Sequence, residues 1–205
     1  MFIKTDHPIR WKLNYVPTYY EGLDKTQLHD QRVVLDFKEG RYDETLMLWF
    51  RQNIWKIARG QDYAWSVCFL PCSNDTVQTK RFGKLAHYLK ETTRIDTYLS
   101  TFGFAGEHER TSIYGKKKID IMDIGINLPD IFVKNVILID DVITTGETFN
   151  KTAEVCMQTG ANSIHGLFLA KTIHPDLPIK KKTNSRREIE EAILREESEI
   201  MNSLN

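Results

Sequence analysis

The stretch that decides the fold is residues 136–148, which read VILIDDVITTGET. Its first four residues are all apolar and predict a buried strand, and such uninterrupted runs are typical of parallel sheets. The acids Asp140 and Asp141 follow where we expect this strand to leave the sheet, and open α/β sheets bind ligands at that carboxyl edge. The next residues, TTGET, predict a tight turn that opens a helix.

This turn has the features of a phosphate site, because helix-start N–H groups and hydroxyls converge there and the helix dipole adds positive potential. Gly146 lets the backbone approach an anion closely. Phosphate alone needs no carboxylates, so the turn together with Asp140 and Asp141 predicts a sugar phosphate whose hydroxyls donate to the two acids. A solvated loop with an ordinary helix cap explains either half of the pattern, but not both in register. The predicted phosphate-binding residues are Thr144, Thr145, Gly146, Glu147 and Thr148.

Strand and helix patterns alternate outward from this stretch. Strands are predicted at 33–37, 63–70, 95–99, 119–126, 136–139 and 164–170, and helices at 43–58, 79–91 and 148–159. The alternation predicts an α/β fold with a single, mainly parallel, Rossmann-like sheet and helices on both faces. We divide the chain into a loop-rich, aromatic N-terminal cap at 1–32, a core at 33–177, and a basic linker with a C-terminal helix at 178–205.

Composition excludes several classes of protein. The 205 residues carry 28 basic and 28 acidic side chains, and a net charge of zero does not favour binding to DNA or to anionic membranes over the whole surface. No run approaches the roughly 18 apolar residues of a membrane span, and the N-terminus lacks a signal-peptide core. Cys68, Cys72 and Cys156 are typical of reduced thiols in the cytoplasm. We therefore expect a cytoplasmic protein that binds small molecules, and its C-terminal helix leaves homo-oligomer formation open.

Residues 136–148 resemble the signature with which type I phosphoribosyltransferases bind 5-phosphoribosyl-1-pyrophosphate (PRPP). The resemblance implies that Asp140 and Asp141 hold the ribose 2- and 3-hydroxyls, while 144–148 cradles the 5-phosphate. Residues 37–41, 80–82 and 159–172 are similar to segments of one branch, the ComF-like (competence-protein-like) phosphoribosyltransferases. The four-cysteine zinc knuckle with which such proteins often begin is absent from this sequence.

The resemblance implies transfer of the phosphoribosyl group of PRPP to a nitrogen acceptor, a nucleobase or an amine, with release of pyrophosphate. Mg²⁺ would bridge the hydroxyls and the pyrophosphate, and Asp140 and Asp141 would contact the ion through water. The N–H groups of Cys72 and Ser73 would bind pyrophosphate, with Lys80 or Arg81 as the cation. Arg110, in the glycine-bounded segment 103–118, would contact phosphate as that segment closes over the site.

A non-catalytic function is compatible with the same residues. A protein that senses PRPP or a nucleotide and acts through a partner, as in DNA uptake by ComF-like proteins, needs only residues 140–148. An enzyme also needs a leaving-group half, with a working loop at 71–75 and a cation at Arg81 or Arg110. The acceptor is left open by the sequence, and we identify no clear general base.

Overall fold

A computed structural model describes residue 3 and residues 5–59, 64–104 and 124–179. Within these residues the chain forms seven strands and four α-helices. The strands are β1 (Ile9–Tyr15), β2 (Trp65–Phe69), β3 (Asp96–Tyr98), β4 (Phe102–Phe104), β5 (Ile124–Ile126), β6 (Asn135–Ile143) and β7 (Ser163–Thr172). The helices are α1 (Lys25–Lys38), α2 (Glu44–Ala58), α3 (Asp75–Thr92) and α4 (Glu147–Gln158), and a 3₁₀ turn covers Leu128–Asp130.

Five strands form one wholly parallel sheet in the order β1-β7-β6-β2-β3, while β4 and β5 pair as a small antiparallel ribbon. Helices α1, α2 and α3 cover one face, where Phe37, Phe50 and Phe82 pack in a core with Ile137. Helix α4 covers the other face and contributes Phe149 to a second core. The predicted α/β fold, with helices on both faces of one main sheet, is confirmed. No described helix combines the length and apolar character needed to cross a membrane.

The elements around the decisive stretch begin close to their predicted positions. Helix α2 begins after Asp43, whose Oδ1 accepts the N–H of Leu46 at 3.0 Å, as expected for an N-cap. Helix α3 begins four residues earlier than predicted, because Asn74 caps it by accepting the N–H of Val77 at 2.9 Å. Strand β6 is longer than predicted and continues to Ile143.

The strand predicted at 33–37 is wrong, because these residues lie in α1. The run VVLDF has strand-forming residues, yet it belongs to a helix whose capping box begins nine residues upstream, at Asp24. Gln27 N–H donates to Asp24 Oδ1 at 2.8 Å, and Asp24 N–H donates to Gln27 Oε1 at 3.0 Å. Val34 and Phe37, three residues apart and so on one helix face, are both completely buried.

The loop-rich prediction for 1–32 is also wrong in part, since β1 forms an edge strand of the main sheet. It pairs in parallel with β7 from Ile9 opposite Gly166 to Tyr15 opposite Thr172. The segment after β7 returns to the N-terminal part, because Glu21 N–H donates to the carbonyl of Pro178 at 2.8 Å. The N-terminal residues are therefore part of the core, and the predicted C-terminal helix lies outside the described residues.

The order of the strands creates a crevice between β2 and β6. These strands are neighbours, yet the chain leaves β2 into α3 on one face and leaves β6 into α4 on the other. Such a topological switch opens a gap at the carboxyl ends of the two strands, and doubly wound sheets bind their ligands there. The acids and the turn of residues 140–148 lie at this edge.

Candidate functional site

The side chains of the two neighbouring acids, Asp140 and Asp141, lie on opposite faces of the sheet. Because β6 continues to Ile143, they lie within the strand and not after it, which corrects the prediction. Side chains alternate along a strand, so Asp140 lies on the α4 face with Leu138, and Asp141 lies on the α3 face with Ile139. The two carboxylates therefore have different neighbours.

Asp140 and the predicted phosphate turn line one cleft, with an empty volume of about 380 Å³ that is open to solvent. Gly146 has a φ of +83°, a left-handed conformation that side chains disfavour, and it is the N-cap of the twelve-residue α4. The N–H groups of the first turn of a helix lack partners within that helix, so this turn can receive an anion. The cleft residues are Leu70, Asp140, Val142, Ile143, Thr144, Thr145, Gly146, Glu147, Thr148, Phe149 and Phe168.

Contacts within the turn distinguish its side chains. The hydroxyl oxygen of Thr144 lies 2.8 Å from that of Thr172, so Thr144 ties the turn to the end of β7. The hydroxyl of Thr145 accepts the N–H of Glu147 at 3.3 Å. The carboxylate of Glu147 is exposed and contacts Lys151 at 3.1 Å. Backbone and hydroxyl groups, and not the Glu147 carboxylate, are thus the groups suited to an anion here.

Asp141 forms an ion pair with Arg81 of α3, and the two charged atoms, Oδ2 and Nη1, are 2.8 Å apart. The side chains are 8% and 18% exposed, so most of the pair is shielded from water. The contact is not aligned as a hydrogen bond, because Asp141 Oδ2 and Arg81 Nε have no hydrogen-bond partner among the described residues. The other oxygen, Oδ1, accepts the N–H of Val142 at 2.6 Å. The structure therefore pairs Asp141, which we predict to bind ribose, with Arg81, which we predict to bind pyrophosphate.

Tyr15, at the carboxyl end of β1, is a neighbour of Asp141 that sequence reasoning did not single out. Burial raises the pKa of Tyr15, and the negative charges of Asp141 and Tyr19 raise that pKa further. Tyr15 therefore keeps its proton at neutral pH and can donate a hydrogen bond. The Nζ of Lys38 lies 5.6 Å from the centre of its ring. The sequence signal for Tyr15 is the alternation of apolar and polar residues in β1, which places this tyrosine at the carboxyl end of a strand.

An aromatic cluster continues from Tyr15 along the same edge. The hydroxyls of Tyr19 and Tyr20 lie 3.4 and 3.3 Å from Nδ1 of His174, just beyond the end of β7. The two tyrosine rings are 4.8 Å apart. Tyr20 is buried and Tyr19 is 44% exposed, so the cluster presents an aromatic surface to solvent.

The predicted pyrophosphate loop is engaged with protein groups. The N–H of Cys72 donates to Oε1 of Gln78 at 2.8 Å, and the Gln78 amide donates to the carbonyl of Leu99 at 3.0 Å. Gln78 is buried, so this bridge is shielded from competing water. The Cys72 N–H is therefore engaged with Gln78 in this structure, and its binding of pyrophosphate stays a prediction. Ser73 is partly exposed at the same turn.

Of the two candidate cations on α3, only Arg81 faces β6. Lys80 instead pairs with Glu39 at 2.5 Å, and both side chains are about half exposed. Adjacent helix residues are about 100° apart, so the two cations cannot share one site. The other predicted cation, Arg110, lies outside the described residues, as does most of 103–118. Its role stays a prediction.

A magnesium ion would find few protein ligands at this edge. The described residues include no group of three or more histidine, cysteine or acidic side chains suited to a metal ion. Mg²⁺ is usually held by one or two carboxylates together with water and substrate phosphates. Asp140, beside the phosphate turn, fits that arrangement, whereas Asp141 is paired with Arg81. The donor set fits an ion that arrives with a phosphorylated ligand.

The fold and site define a Rossmann-like α/β protein with a polar cleft at its topological switch point. No family model matches the chain. A curated protein, the ribose-phosphate pyrophosphokinase of Thermoplasma acidophilum, is 39% identical over 61 residues. The match covers 26% of this chain and 21% of the relative, so the chain spans about a fifth of that protein. The likeness and the parallel sheet are compatible with a phosphoribosyltransferase-type fold, and neither bears on the ComF-like branch.

Proposed function

We propose that the cleft binds PRPP and that the protein transfers its phosphoribosyl group to a nitrogen acceptor, with release of pyrophosphate. The observation that carries this proposal is the meeting of Asp140 with the 144–148 turn in one cleft at the switch between β2 and β6. The short likeness to a ribose-phosphate pyrophosphokinase supports the ligand class, because that name describes chemistry on a ribose phosphate.

Each half of the cleft suits one part of the ligand. The 5-phosphate would lie at the start of α4, where N–H groups and the helix dipole favour an anion. Gly146 would allow close approach, and Thr144 would hold the turn in place through Thr172. Asp140 would accept hydrogen bonds from the ribose hydroxyls.

The transfer would break the bond between ribose C1 and the pyrophosphate oxygen and form a bond from C1 to nitrogen. Negative charge grows on the departing oxygen, and the guanidinium of Arg81, which contacts Asp141 of β6, could stabilise it. Asp141 would exchange its contact with Arg81 for hydrogen bonds from ribose. Bound with Asp140 and the ligand phosphates, Mg²⁺ would supply further neutralisation of the leaving group.

The aromatic cluster of Tyr15, Tyr19, Tyr20 and His174 would receive the acceptor. It lies at the same sheet edge as Asp141, whose charge raises the pKa of Tyr15. Aromatic rings with hydroxyl and imidazole groups suit a flat acceptor that forms hydrogen bonds, so this surface favours a nucleobase over a small amine.

A second function, PRPP or nucleotide sensing without turnover, is favoured by one specific observation. The leaving-group half is occupied by protein contacts, since Gln78 accepts the Cys72 N–H and Asp141 pairs with Arg81. A sensor needs the ribose-phosphate half alone and would act through a partner, as the resemblance to ComF-like proteins in DNA uptake implies.

Calorimetry and a turnover assay separate these functions. PRPP with Mg²⁺ should release heat with the wild-type chain, and Asp140→Asn should weaken binding by roughly tenfold or more through loss of charged hydrogen bonds. Asp36→Asn is the control, because this exposed carboxylate lies on α1 and pairs with Arg41. Pyrophosphate release with a panel of nucleobases and ammonia would establish transfer, whereas binding without turnover would establish sensing. Absence of PRPP binding would refute both.

A further inference from the structure

A second, larger cleft lies at the amino ends of the strands, opposite the edge that holds the phosphate turn. It is formed where β1, β2 and β7 begin and where α2 ends, and its volume is about 620 Å³. Such an opening is large enough for an organic ligand, since ligand pockets commonly measure about 300–1,000 Å³. Neither the fold nor the proposed transfer reaction requires it.

This second cleft is strongly cationic. Arg10, Lys56 and Arg59 line it, and none of the described lining residues is acidic. All three are exposed, and none forms an ion pair with a residue that the structure describes. By contrast, Arg41 and Arg81 each contact a carboxylate at 2.8 Å. Three cations without a counter-charge among the described residues concentrate positive potential at one opening and attract anions.

Two buried polar atoms in the wall also lack a partner among the described residues. Trp65 is only 7% exposed, and its indole Nε1 has no hydrogen-bond partner among the described residues. The same holds for Nδ1 of His165, whose ring meets that of Trp65 edge to face at 5.2 Å. Burying such a group without a partner costs free energy, and most buried polar groups are therefore paired. Both residues line the cleft, where a ligand atom would supply the hydrogen-bond partner that each nitrogen lacks among the described residues.

His165 adds no permanent charge. Burial lowers its pKa, and the nearby positive charges of Arg10, His7 and Arg59 lower it further. At neutral pH it is an uncharged imidazole that can donate or accept a hydrogen bond. The charge of the cleft comes from Arg10, Lys56 and Arg59.

We propose that this cleft is a second binding site, for a phosphorylated small molecule of nucleotide size. Its phosphates would lie among Arg10, Lys56 and Arg59, and an acceptor atom on its body would take the N–H of Trp65. The two clefts are at opposite edges of the sheet, so ligands in them do not exclude each other sterically. The proposal does not depend on PRPP binding in the first cleft.

Calorimetry with ADP in the presence of EDTA tests the site on the full chain. Thr148→Glu places a carboxylate at the start of α4 and excludes phosphate from the first cleft, so ADP binding should persist in that variant. Arg10→Gln with Arg59→Gln should weaken ADP binding by roughly tenfold or more, since charged hydrogen bonds are lost. Arg32→Gln, on the exposed face of α1, should leave it unchanged. ADP binding that is absent from the wild-type chain, or that survives the Arg10 and Arg59 changes, would overturn the proposal.

Two further measurements hold even if Thr148→Glu does not fold. In the wild-type chain, Trp65→Phe keeps an aromatic ring but removes the unpartnered N–H, and it should weaken ADP binding several-fold. Tripolyphosphate should displace ADP, whereas adenosine should compete poorly, because the cations of the cleft recognise the phosphates. Equal competition by adenosine would contradict the assignment of the site to a phosphorylated ligand.

Discussion

Replacement of Arg81 with methionine should destabilise the protein by about 3 kcal/mol, because it leaves the Asp141 carboxylate shielded from water without its counter-charge. Methionine retains most of the apolar stem, so the loss of packing is small. The figure is taken at the low end of the range for breaking a buried ion pair, because Arg81 remains 18% exposed. The free energy of unfolding would be measured by urea denaturation.

A double-mutant cycle isolates the pair from other effects of each substitution. Asp141→Asn should cost less than Arg81→Met, because an amide needs no counter-charge and the arginine can turn to solvent. Once asparagine is present, Arg81→Met should cost little more. The coupling energy between Arg81 and Asp141 should therefore be about 2.5–3 kcal/mol.

The matched control is the pair formed by Arg41 and Asp36, which has the same 2.8 Å separation but side chains that are 65% and 36% exposed. Water screens this pair, so the same cycle should give a coupling below about 0.5 kcal/mol. The exposed pair is also hydrogen-bonded, whereas the buried pair is not, so only burial favours the larger coupling at Arg81 and Asp141. Equal couplings for the two pairs would refute the reasoning. Raising the salt concentration should reduce the control coupling more than that of the buried pair.

Three further predictions concern glycine positions of the backbone and the buried thiol of Cys68. Gly146 and Gly22 have φ angles of +83° and +71°, so replacing either with alanine should lower the free energy of unfolding in urea by about 1 kcal/mol. Only Gly146→Ala should weaken PRPP binding in calorimetry. Gly166→Ala should destabilise the protein by about 1–3 kcal/mol, because the new Cβ would lie 2.6 Å from the ring of Phe168. Gly83→Ala, whose Cβ would have its nearest neighbour at 3.5 Å, should stabilise α3 by about 0.5–1 kcal/mol. A lower melting temperature for the Gly83 variant than for the Gly166 variant would contradict both expectations. Burial raises the pKa of Cys68 to about 12, so about one thiol in ten thousand is ionised at pH 8, and an aromatic disulfide reagent should label it only on unfolding; labelling at the rate of a small thiol would show that the site opens.

Sequence patterns predict the structure correctly where one element contains its own cap, turn and apolar residues. The strand, acids, glycine turn and helix of 136–148 are contiguous, and the structure places them as β6, the cleft and α4. Helix α2 also carried its cap and its apolar face within sixteen residues. Such features depend on spacing along the chain, which is visible before folding.

Sequence patterns predict the wrong element where two local signals, such as strand-forming residues and a helix cap, lie close together. The run at 33–37 has strand-forming residues, but the capping box at Asp24 and the burial of Val34 and Phe37 made it part of a helix. Residues 9–15 were hidden between prolines and aromatic residues, and they became a strand because β7 offered an unpaired edge. An edge of that kind exists only after the rest of the sheet has formed.

The order of residues alone determined that a carboxylate pair precedes a glycine turn at the end of an apolar strand, because those groups are covalent neighbours. The tertiary structure decided that the two acids face opposite sides, that Asp141 meets Arg81 sixty positions away, and that Gln78 takes the N–H of Cys72. It also brought Arg10, Arg59 and Trp65 to one opening at the far edge of the sheet. Contacts of this second kind depend on how strands are ordered and which faces the helices cover, and no local spacing encodes that arrangement.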